Sequence, residues 1–121
     1  MPTYSNKYLS DTEYCLYFHK GKGKTFPQSY NDAFTYWIEP LNQKDKEKYG
    51  HPTIKPLKII DRLVRNSSKE GDTILDCFLG SGTTAVASLM NKRKCIGIEL
   101  NDKYFAIAEK RIKEVQQPML F

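Results

Sequence analysis

Two glycines at the end of one short apolar run and a glutamate at the end of the next are the residues best suited to chemistry. The segment Gly80-Ser81-Gly82-Thr83-Thr84-Ala85 contains the pattern Gly-x-Gly-x-x-Ala, a loose form of the nucleotide-binding glycine turn. Glycine is needed there because a Cβ atom would keep a ligand away from the backbone N–H groups. Glu99 follows about twenty positions later, the spacing at which a carboxylate accepts hydrogen bonds from ribose hydroxyls. Together they predict a site for an adenosine-containing ligand.

Other interpretations of the same residues stay open at this point. The glycines can form no more than a tight connection, and Glu99 can be an exposed acid at the end of a strand. A Walker-type phosphate loop is excluded because no Gly-Lys-Ser/Thr follows the turn. A nicotinamide-dependent oxidoreductase shares the turn and the acid, and remains an alternative.

An alternation of helices and strands positions these residues. Apolar residues at helical spacing or in short runs predict, in order, a helix over residues 57–64, a strand over 73–78, a helix over 83–90, a strand over 94–99 and a helix that begins after Asn101 or Asp102. This order is typical of a parallel sheet built by right-handed crossovers. The expected fold class is therefore α/β.

The first 50 residues follow no such rhythm. Residues 13–20 are rich in aromatic side chains and predict one strand, whereas residues 21–50 predict an irregular segment with a short helix or hairpin. The net charge of +5 favours a polyanionic partner without requiring one. Phosphate contact and simple solvation are equal alternatives for one basic cluster, which consists of Lys20, Lys22 and Lys24.

Length and composition exclude several classes of protein. The 121 residues suffice for one small domain. No stretch has the roughly 18 apolar residues of a membrane helix, and the N-terminus lacks the pattern of a secretory signal. The three cysteines have no Cys-x-x-Cys spacing, which favours reduced thiols in a cytoplasmic protein without a membrane partner.

Two motifs carry a resemblance to a known family. The segment His51-Pro52-Thr53-Ile54-Lys55-Pro56 precedes Asp76-Cys77-Phe78-Leu79-Gly80-Ser81-Gly82-Thr83-Thr84 by about twenty residues. The pair resembles the circularly permuted (beta) class of DNA amino-methyltransferases, enzymes that methylate adenine N6 or cytosine N4. Residues 51–112 are covered closely, and the helix that contains Tyr104, Ala108, Arg111 and Ile112 is also similar to the family's. The implied fold is a partial Rossmann-like methyltransferase fold with parallel strands, flanking helices and an irregular N-terminal segment.

The resemblance implies S-adenosylmethionine as the cofactor and assigns residues to it. Asp76 would lie near the methionine ammonium group, and Glu99 would hold the ribose. Thr53 and Lys55 would lie beside the methionine carboxylate, although Lys55 is otherwise a solvated lysine between prolines. A zwitterion needs an acceptor for its ammonium group and a donor for its carboxylate, which agrees with these charges. The complete implied set is Thr53, Lys55, Asp76, Phe78, Gly80, Ser81, Gly82, Thr83, Thr84 and Glu99.

The resemblance also divides the chain. Residues 1–50 would form a strand and a short target-recognition-like segment, residues 51–116 the cofactor-binding αβαβα segment, and residues 117–121 a tail. DNA would be the partner, contacted by the basic cluster and by aromatic residues for which core packing is an equal alternative: Phe26, Tyr30, Phe34, Tyr36 and Trp37.

The catalytic motif of this class is absent from the chain. It consists of Asp, Asn or Ser before Pro-Pro and an aromatic residue, and the sequence contains no Pro-Pro. We therefore expect no catalytic residue here and no activity of the chain alone, with the motif upstream in a longer enzyme or on a partner chain. Methylation of cytosine C5 needs a cysteine that follows proline, which does not describe Cys15, Cys77 or Cys95. A relic or regulatory module that keeps the scaffold is the alternative function.

Three further expectations concern surfaces and a metal. Without its neighbour the predicted 73–78 strand leaves an open apolar edge, which predicts self-association, a partner chain or marginal stability. A zinc site at Cys15 and His19 lacks two further ligands. The tail resembles the short peptide that binds the bacterial sliding clamp, with folding back on the body as the alternative. Its sequence is Gln117-Pro118-Met119-Leu120-Phe121.

Overall fold

The computed structural model describes residues 12–40 and 42–117. After a single 3-10 turn at Asn31–Ala33, the elements are helix α1 (Gln43–Tyr49), helix α2 (Leu57–Ser67), strand β1 (Thr73–Asp76), helix α3 (Thr83–Met90), strand β2 (Lys94–Gly97) and helix α4 (Asp102–Gln116). The alternation from α2 to α4 confirms the predicted order. Both strands end two residues earlier than predicted.

The sheet consists of β1 and β2, which pair in parallel from Thr73 opposite Lys94 to Asp76 opposite Gly97. Two further backbone hydrogen bonds extend the pairing, from Ile98 N to Asp76 O and from Leu79 N to Ile98 O, each 2.9 Å long. The carboxyl ends of parallel strands lie at one edge of a sheet. The segments that follow β1 and β2 therefore meet there.

Small side chains let the helices pack closely around one face of this sheet. Helix α3 lies between α2 and α4 and contributes buried Ala85, Val86, Ala87 and Ser88. The remaining buried apolar residues are Ile54, Val64, Leu79 and Ala108. At Gly97 a Cβ atom would come within 2.6 Å of the Leu79 side chain, so glycine is required for β2 to pack against the turn.

The other face of the sheet carries exposed apolar side chains. Leu75, Ile96 and Ile98 are 60%, 56% and 48% exposed. In the part of the chain that the structure describes, each strand also has one unpaired edge. An apolar face with open edges is the kind of surface that a further strand or chain would cover.

Residues 13–20 do not form the predicted strand. Tyr14, Leu16 and Phe18 are 89%, 76% and 82% exposed, and no described segment pairs with theirs. The prediction was wrong because aromatic content favours a strand only where a neighbouring strand takes up its hydrogen bonds. The irregular segment after it is as predicted, with the 3-10 turn and α1 as its short helices.

The last helix begins after Asn101, one of the two residues after which its start was predicted. Asn101 precedes α4, and its side-chain oxygen accepts hydrogen bonds from the backbone N–H groups of Lys103 and Tyr104 at 3.0 and 3.1 Å. An asparagine in this position satisfies donors that have no partner within the helix. Asp102 is therefore the first helical residue and not the cap.

Within the described ranges, no helix combines the length and hydropathy needed to cross a membrane. The same ranges contain no group of three or more His, Cys, Asp or Glu that could hold a metal ion, so Cys15 and His19 have no further ligands there. The three cysteines are free. The predicted clamp-binding peptide falls almost entirely on residues 118–121, which lie outside the described residues.

Candidate functional site

The glycine turn leads from β1 into α3 through two left-handed residues. Gly80 has φ +56° and Gly82 has φ +84°, a region that favours glycine. A Cβ atom at Gly82 would lie 2.9 Å from the Cβ atom and 3.0 Å from the Cα atom of Ala108. The turn therefore rests directly on α4, and a side chain at position 82 would push the two apart.

Glu99 reaches from the end of β2 to this turn. Its Oε2 accepts a hydrogen bond from Gly80 N at 2.7 Å, and its Oε1 accepts one from Asn101 N at 2.8 Å. The N–H groups of Asn101 and Gly80 lower the pKa of this carboxyl group, against an opposing effect of burial. The ionised carboxylate has acceptor positions beyond these two bonds, which suits it to bind hydroxyl groups.

Asp76 ends β1 at the same edge of the sheet. Its Oδ1 accepts a hydrogen bond from Phe78 N at 3.0 Å, which holds the half-buried carboxylate at the entrance of the turn. Phe78 itself is 91% exposed, so its ring is free to cover a ligand. The sheet thus brings two acids and the turn between them to one end of the strands.

Ser81 and Thr83 face the body of the protein. They are 4% and 5% exposed, and both hydroxyl oxygens accept hydrogen bonds from Arg111. Thr84 follows in the first turn of α3 and is half-buried. What the turn offers to a ligand is consequently its backbone, together with the side chains of Asp76 and Glu99.

Arg111 is the residue at this site that sequence reasoning missed. Its guanidinium is held by α4 and is 5% exposed, although arginine side chains are seldom buried. The available signals were its place in a helix that carries the resemblance and its spacing of three positions from Ala108, which places both on one face of that helix. Burial lowers the pKa of Arg111, which stays cationic.

The segment before α2 approaches the turn through His51. The imidazole is 7% exposed, lies 4.1 Å from the Tyr104 ring between centroids, and would sit 3.6 Å from a Cβ atom at Gly80. Its Nδ1 accepts a hydrogen bond from Thr53 N at 3.2 Å. Burial lowers the pKa of His51, an effect that Glu99 opposes and Arg111 strengthens. The His51 ring therefore packs between the glycine turn and Tyr104.

The other two residues of this segment are less closely engaged. Thr53 is exposed. The amine of Lys55 forms an ion pair with Glu13, with Nζ–O distances of 2.9 and 3.1 Å. This hydrogen bond and the positive charge of Lys55 lower the pKa of Glu13. An exposed pair of this kind contributes roughly 0–1 kcal/mol, so a ligand carboxylate can replace Glu13.

The predicted nucleic-acid residues lie outside the elements that build the turn. Lys20, Lys22 and Lys24 are exposed and form no ion pair among the described residues. The aromatic residues differ in exposure. Phe26 and Trp37 are half-buried, whereas Tyr30 and Tyr36 are 82% and 66% exposed. Tyr30 meets the Phe34 ring edge-on at a centroid distance of 5.2 Å, and Tyr36 stacks on it at 5.7 Å.

A separate cavity of about 480 Å³ lies at the amino ends of the strands. Its walls include Phe26, Ser68, Lys69 and Arg93. None of the predicted cofactor residues lines it, and its buried Arg93 is fully engaged with backbone and hydroxyl acceptors. The candidate site is instead the open surface at the carboxyl ends.

Comparison with known proteins connects this arrangement to one family. A family model described as DNA methylase matches residues 1–110. The type II methyltransferase M2.LlaDCHI of Lactococcus lactis subsp. cremoris is 44% identical over 79 residues, which cover 64% of this chain and 29% of that protein. The type II methyltransferase M.MjaI of Methanocaldococcus jannaschii is 37% identical over 123 residues, which cover 88% of this chain and 41% of that protein.

Solved structures agree with the fold. The crystal structure of the M1.HpyAVI–SAM complex superimposes with a TM-score of 0.53 at 41% identity, over 55% of this chain and 32% of that chain. The cytosine-N4-specific PvuII DNA methyltransferase matches with a TM-score of 0.54 at 19% identity, over 76% and 40%, and supports the fold alone. They confirm the predicted Rossmann-like fold. The chain spans well under half the length of either curated relative described above.

Proposed function

The chain belongs to the DNA methylase family, and on that premise we propose that it is the S-adenosylmethionine-binding part of a DNA amino-methyltransferase. The observation that carries the proposal is the convergence of Asp76, the glycine turn and Glu99 at the carboxyl ends of two parallel strands. Ligands bind at this end in open α/β sheets. The relatives' shared family supports the reaction class, and the geometry supports this end of the sheet as the place where the cofactor binds.

The adenosine end of the cofactor would lie at Glu99. The carboxylate is ionised and held against Gly80 N and Asn101 N, so that its remaining acceptor positions are available to the two ribose hydroxyls. Exposed Leu100, at 94%, stands next to it as an apolar surface for the adenine ring. No rearrangement of the turn is needed for this contact.

The methionine end would lie between Asp76 and the segment that follows His51. Asp76 would accept hydrogen bonds from the ammonium group, and Lys55 would exchange Glu13 for the cofactor carboxylate. Thr53, whose N–H is anchored on His51 and whose side chain is exposed, would add a hydroxyl donor. S-Adenosylmethionine carries both charges at this end, which an adenine dinucleotide does not.

The methyl transfer itself would require groups that this sequence lacks. An exocyclic amino nitrogen of adenine or cytosine would form a bond to the methyl carbon while the carbon–sulfur bond breaks, so that S-adenosylhomocysteine leaves and the nitrogen releases a proton to solvent. Positioning of the extruded base supplies most of the catalysis in such a reaction. We propose that a segment or partner chain with the Pro-Pro-aromatic motif supplies it, and that the exposed face of Leu75, Ile96 and Ile98 is where such a partner, or a second copy, packs.

Calorimetric titration with S-adenosylmethionine tests the binding proposal. The wild-type chain should bind saturably, and Asp76→Asn should weaken binding by at least about tenfold because it removes the charge that faces the ammonium group. Asp102→Asn is the matched control, since Asp102 is an exposed acid in the first turn of α4. A folded chain that binds no cofactor, or an equal loss in both variants, would refute the proposal.

A methyl-transfer assay distinguishes the enzyme part from the alternative, a non-catalytic module. With labelled cofactor and DNA, the chain alone should transfer no label. Addition of a protein segment that contains the Pro-Pro-aromatic motif of a relative should restore transfer if the chain is the cofactor-binding part of an enzyme. Cofactor binding without any restored transfer would favour the non-catalytic module.

A further inference from the structure

Arg111 contacts the glycine turn on both sides of its central glycine. One guanidinium nitrogen, Nη1, donates hydrogen bonds to Ser81 O at 2.8 Å, to Ser81 Oγ at 3.1 Å and to Thr83 Oγ1 at 3.0 Å. Ser81 and Thr83 flank Gly82, which has φ +84°. Gly82, which as a glycine has little intrinsic conformational restriction, is therefore held between two anchored neighbours.

The burial of this guanidinium group calls for a physical reason. Transfer of a charge out of water is costly without close partners. The hydrogen-bond acceptors of Arg111 at the turn are one carbonyl oxygen and two hydroxyl oxygens, and none of them carries a charge. The ring of Tyr49 lies 5.1 Å from the guanidinium carbon and supplies a cation–π contact. Tyr49 is held in turn by a hydrogen bond of 3.0 Å from its hydroxyl group to Glu114. Helices α1 and α4 thus close over Arg111 and keep it at the turn.

We propose that Arg111 is a positioning residue for the cofactor, which sets the backbone of residues 81–84, beyond the Gly80 N–H that holds Glu99, in the conformation that binds the methionine end. The inference rests on the proposed function. By turning Ser81 and Thr83 inward, Arg111 leaves the outer, backbone side of the turn free for the ligand. It does not touch the ligand, since its guanidinium lies on the buried side of the turn.

Two ligands separate positioning from general stability. S-Adenosylmethionine spans the turn, whereas 5′-methylthioadenosine keeps the adenosine and lacks the amino-acid part. Arg111→Met keeps the approximate length of the side chain and removes its hydrogen-bond donors. It should lower the affinity for S-adenosylmethionine at least about tenfold and the affinity for methylthioadenosine less than about threefold. Arg111→Lys should fall between wild type and Arg111→Met, because an ammonium group keeps the charge without the planar fork of donors. Arg65→Met, on α2, should change neither affinity.

An equal loss of affinity for both ligands in Arg111→Met would overturn the proposal, as would an unchanged affinity for S-adenosylmethionine. If Arg111→Met does not fold, Arg111→Lys carries the same comparison of the two ligands. A thermal melt of each variant identifies the folded ones.

Amide hydrogen exchange without ligand keeps this test separate from that of the proposed function. If the wild-type chain binds no S-adenosylmethionine, the proposed function fails, yet the effect of Arg111 on the turn can still be measured. Exchange at residues 81–84 should rise at least about tenfold in the variant, with β1 and β2 unchanged. Unchanged exchange at the turn, or a uniform rise across the chain, would overturn the positioning role.

Discussion

The region over residues 12–40 and the region over residues 51–117 follow different rules of construction. All seven buried apolar residues of the described chain lie in the second region, and the first region has none. In the second region, α3 contacts α2, α4 and both strands, and its buried residues have small side chains. The first region contacts α2 mainly through polar groups, such as Asp32 with Arg62 at 3.4 Å and Phe26 N with Asn66 O at 2.6 Å. The first region has no buried apolar residues of its own, so its local structure depends on its contacts with α2.

Unsatisfied groups mark the boundary between the two regions. The indole Nε1 of Trp37 and the amide Oδ1 of Asn66 are buried and have no hydrogen-bond partner among the described residues. Each such group costs roughly 1–3 kcal/mol. These groups reduce the stability that the contact between the regions contributes. Substitutions in the two regions should therefore lower the free energy of unfolding by different amounts.

The largest difference in the free energy of unfolding is expected among glycine-to-alanine variants. Gly82→Ala should lower the free energy of unfolding by about 3–5 kcal/mol, because the new Cβ atom meets Ala108 at 2.9 Å in a left-handed backbone conformation. Gly71→Ala, at φ +86° with nothing within 4 Å, should cost about 1 kcal/mol. Gly21→Ala, in the first region, should cost less than that. Urea denaturation measures all three. A Gly82→Ala variant no less stable than Gly71→Ala would mean that the turn is not pinned on α4.

A smaller difference is expected between two arginines. Arg93 is 8% exposed and donates hydrogen bonds to Ser68 O at 2.7 Å and to Asn91 O at 2.6 Å. Arg93→Met should cost about 2–3 kcal/mol because it leaves these acceptors without a donor. Arg62→Met loses an ion pair with Asp32 and a cation–π contact with Trp37 at 5.4 Å, and should cost about 0.5–1 kcal/mol. Equal costs by urea denaturation would contradict the contrast between the regions.

The smallest effect is expected from pH. Burial lowers the pKa of His51 in the folded protein, so that below the ordinary value of 6.5 the unfolded chain takes up the proton more readily. The free energy of unfolding should therefore fall as the pH is lowered from 7 to 5. The contribution of Glu99, whose pKa is also lowered, is complete above 4.5 and is lost only at more acidic pH.

Two histidine variants assign this pH dependence to a region. His51→Asn should reduce the slope, because an amide oxygen accepts the Thr53 N–H bond without titrating. His19→Asn, in the exposed first region, is the matched control substitution. Denaturation at a series of pH values checks both. A slope that His51→Asn leaves unchanged would exclude His51 as its cause.

Sequence reasoning succeeded where the signal is local. The order of helices and strands, the glycine turn between strand and helix, and the start of α4 after Asn101 each depend on residues within a few positions of one another. The meeting of Asp76 and Glu99 at one end of the sheet also followed, since parallel pairing of the two strands dictates it. These features need only propensity and connectivity.

It failed where the outcome depends on distant partners. The 13–20 segment has strand composition, but a strand also needs a neighbour for its hydrogen bonds. Arg111 looks in the sequence like a solvated helical residue, and only the packing of Gly82 on Ala108 shows why it turns inward. The ion pair of Lys55 with Glu13 joins positions 42 residues apart, which no local pattern predicts.

Because of that ion pair, Glu13 of the first region competes with the proposed cofactor for Lys55 of the second region. Lys55 has one ammonium group, which Glu13 occupies in this structure and which the proposed function assigns to a cofactor carboxylate. Thermodynamic linkage is reciprocal. If the contact of Glu13 with Lys55 lowers the affinity for the cofactor, a bound cofactor weakens that contact by the same free energy. The N-terminal region would then report whether the cofactor site is filled, through an exchange of counterions and without any movement of the sheet.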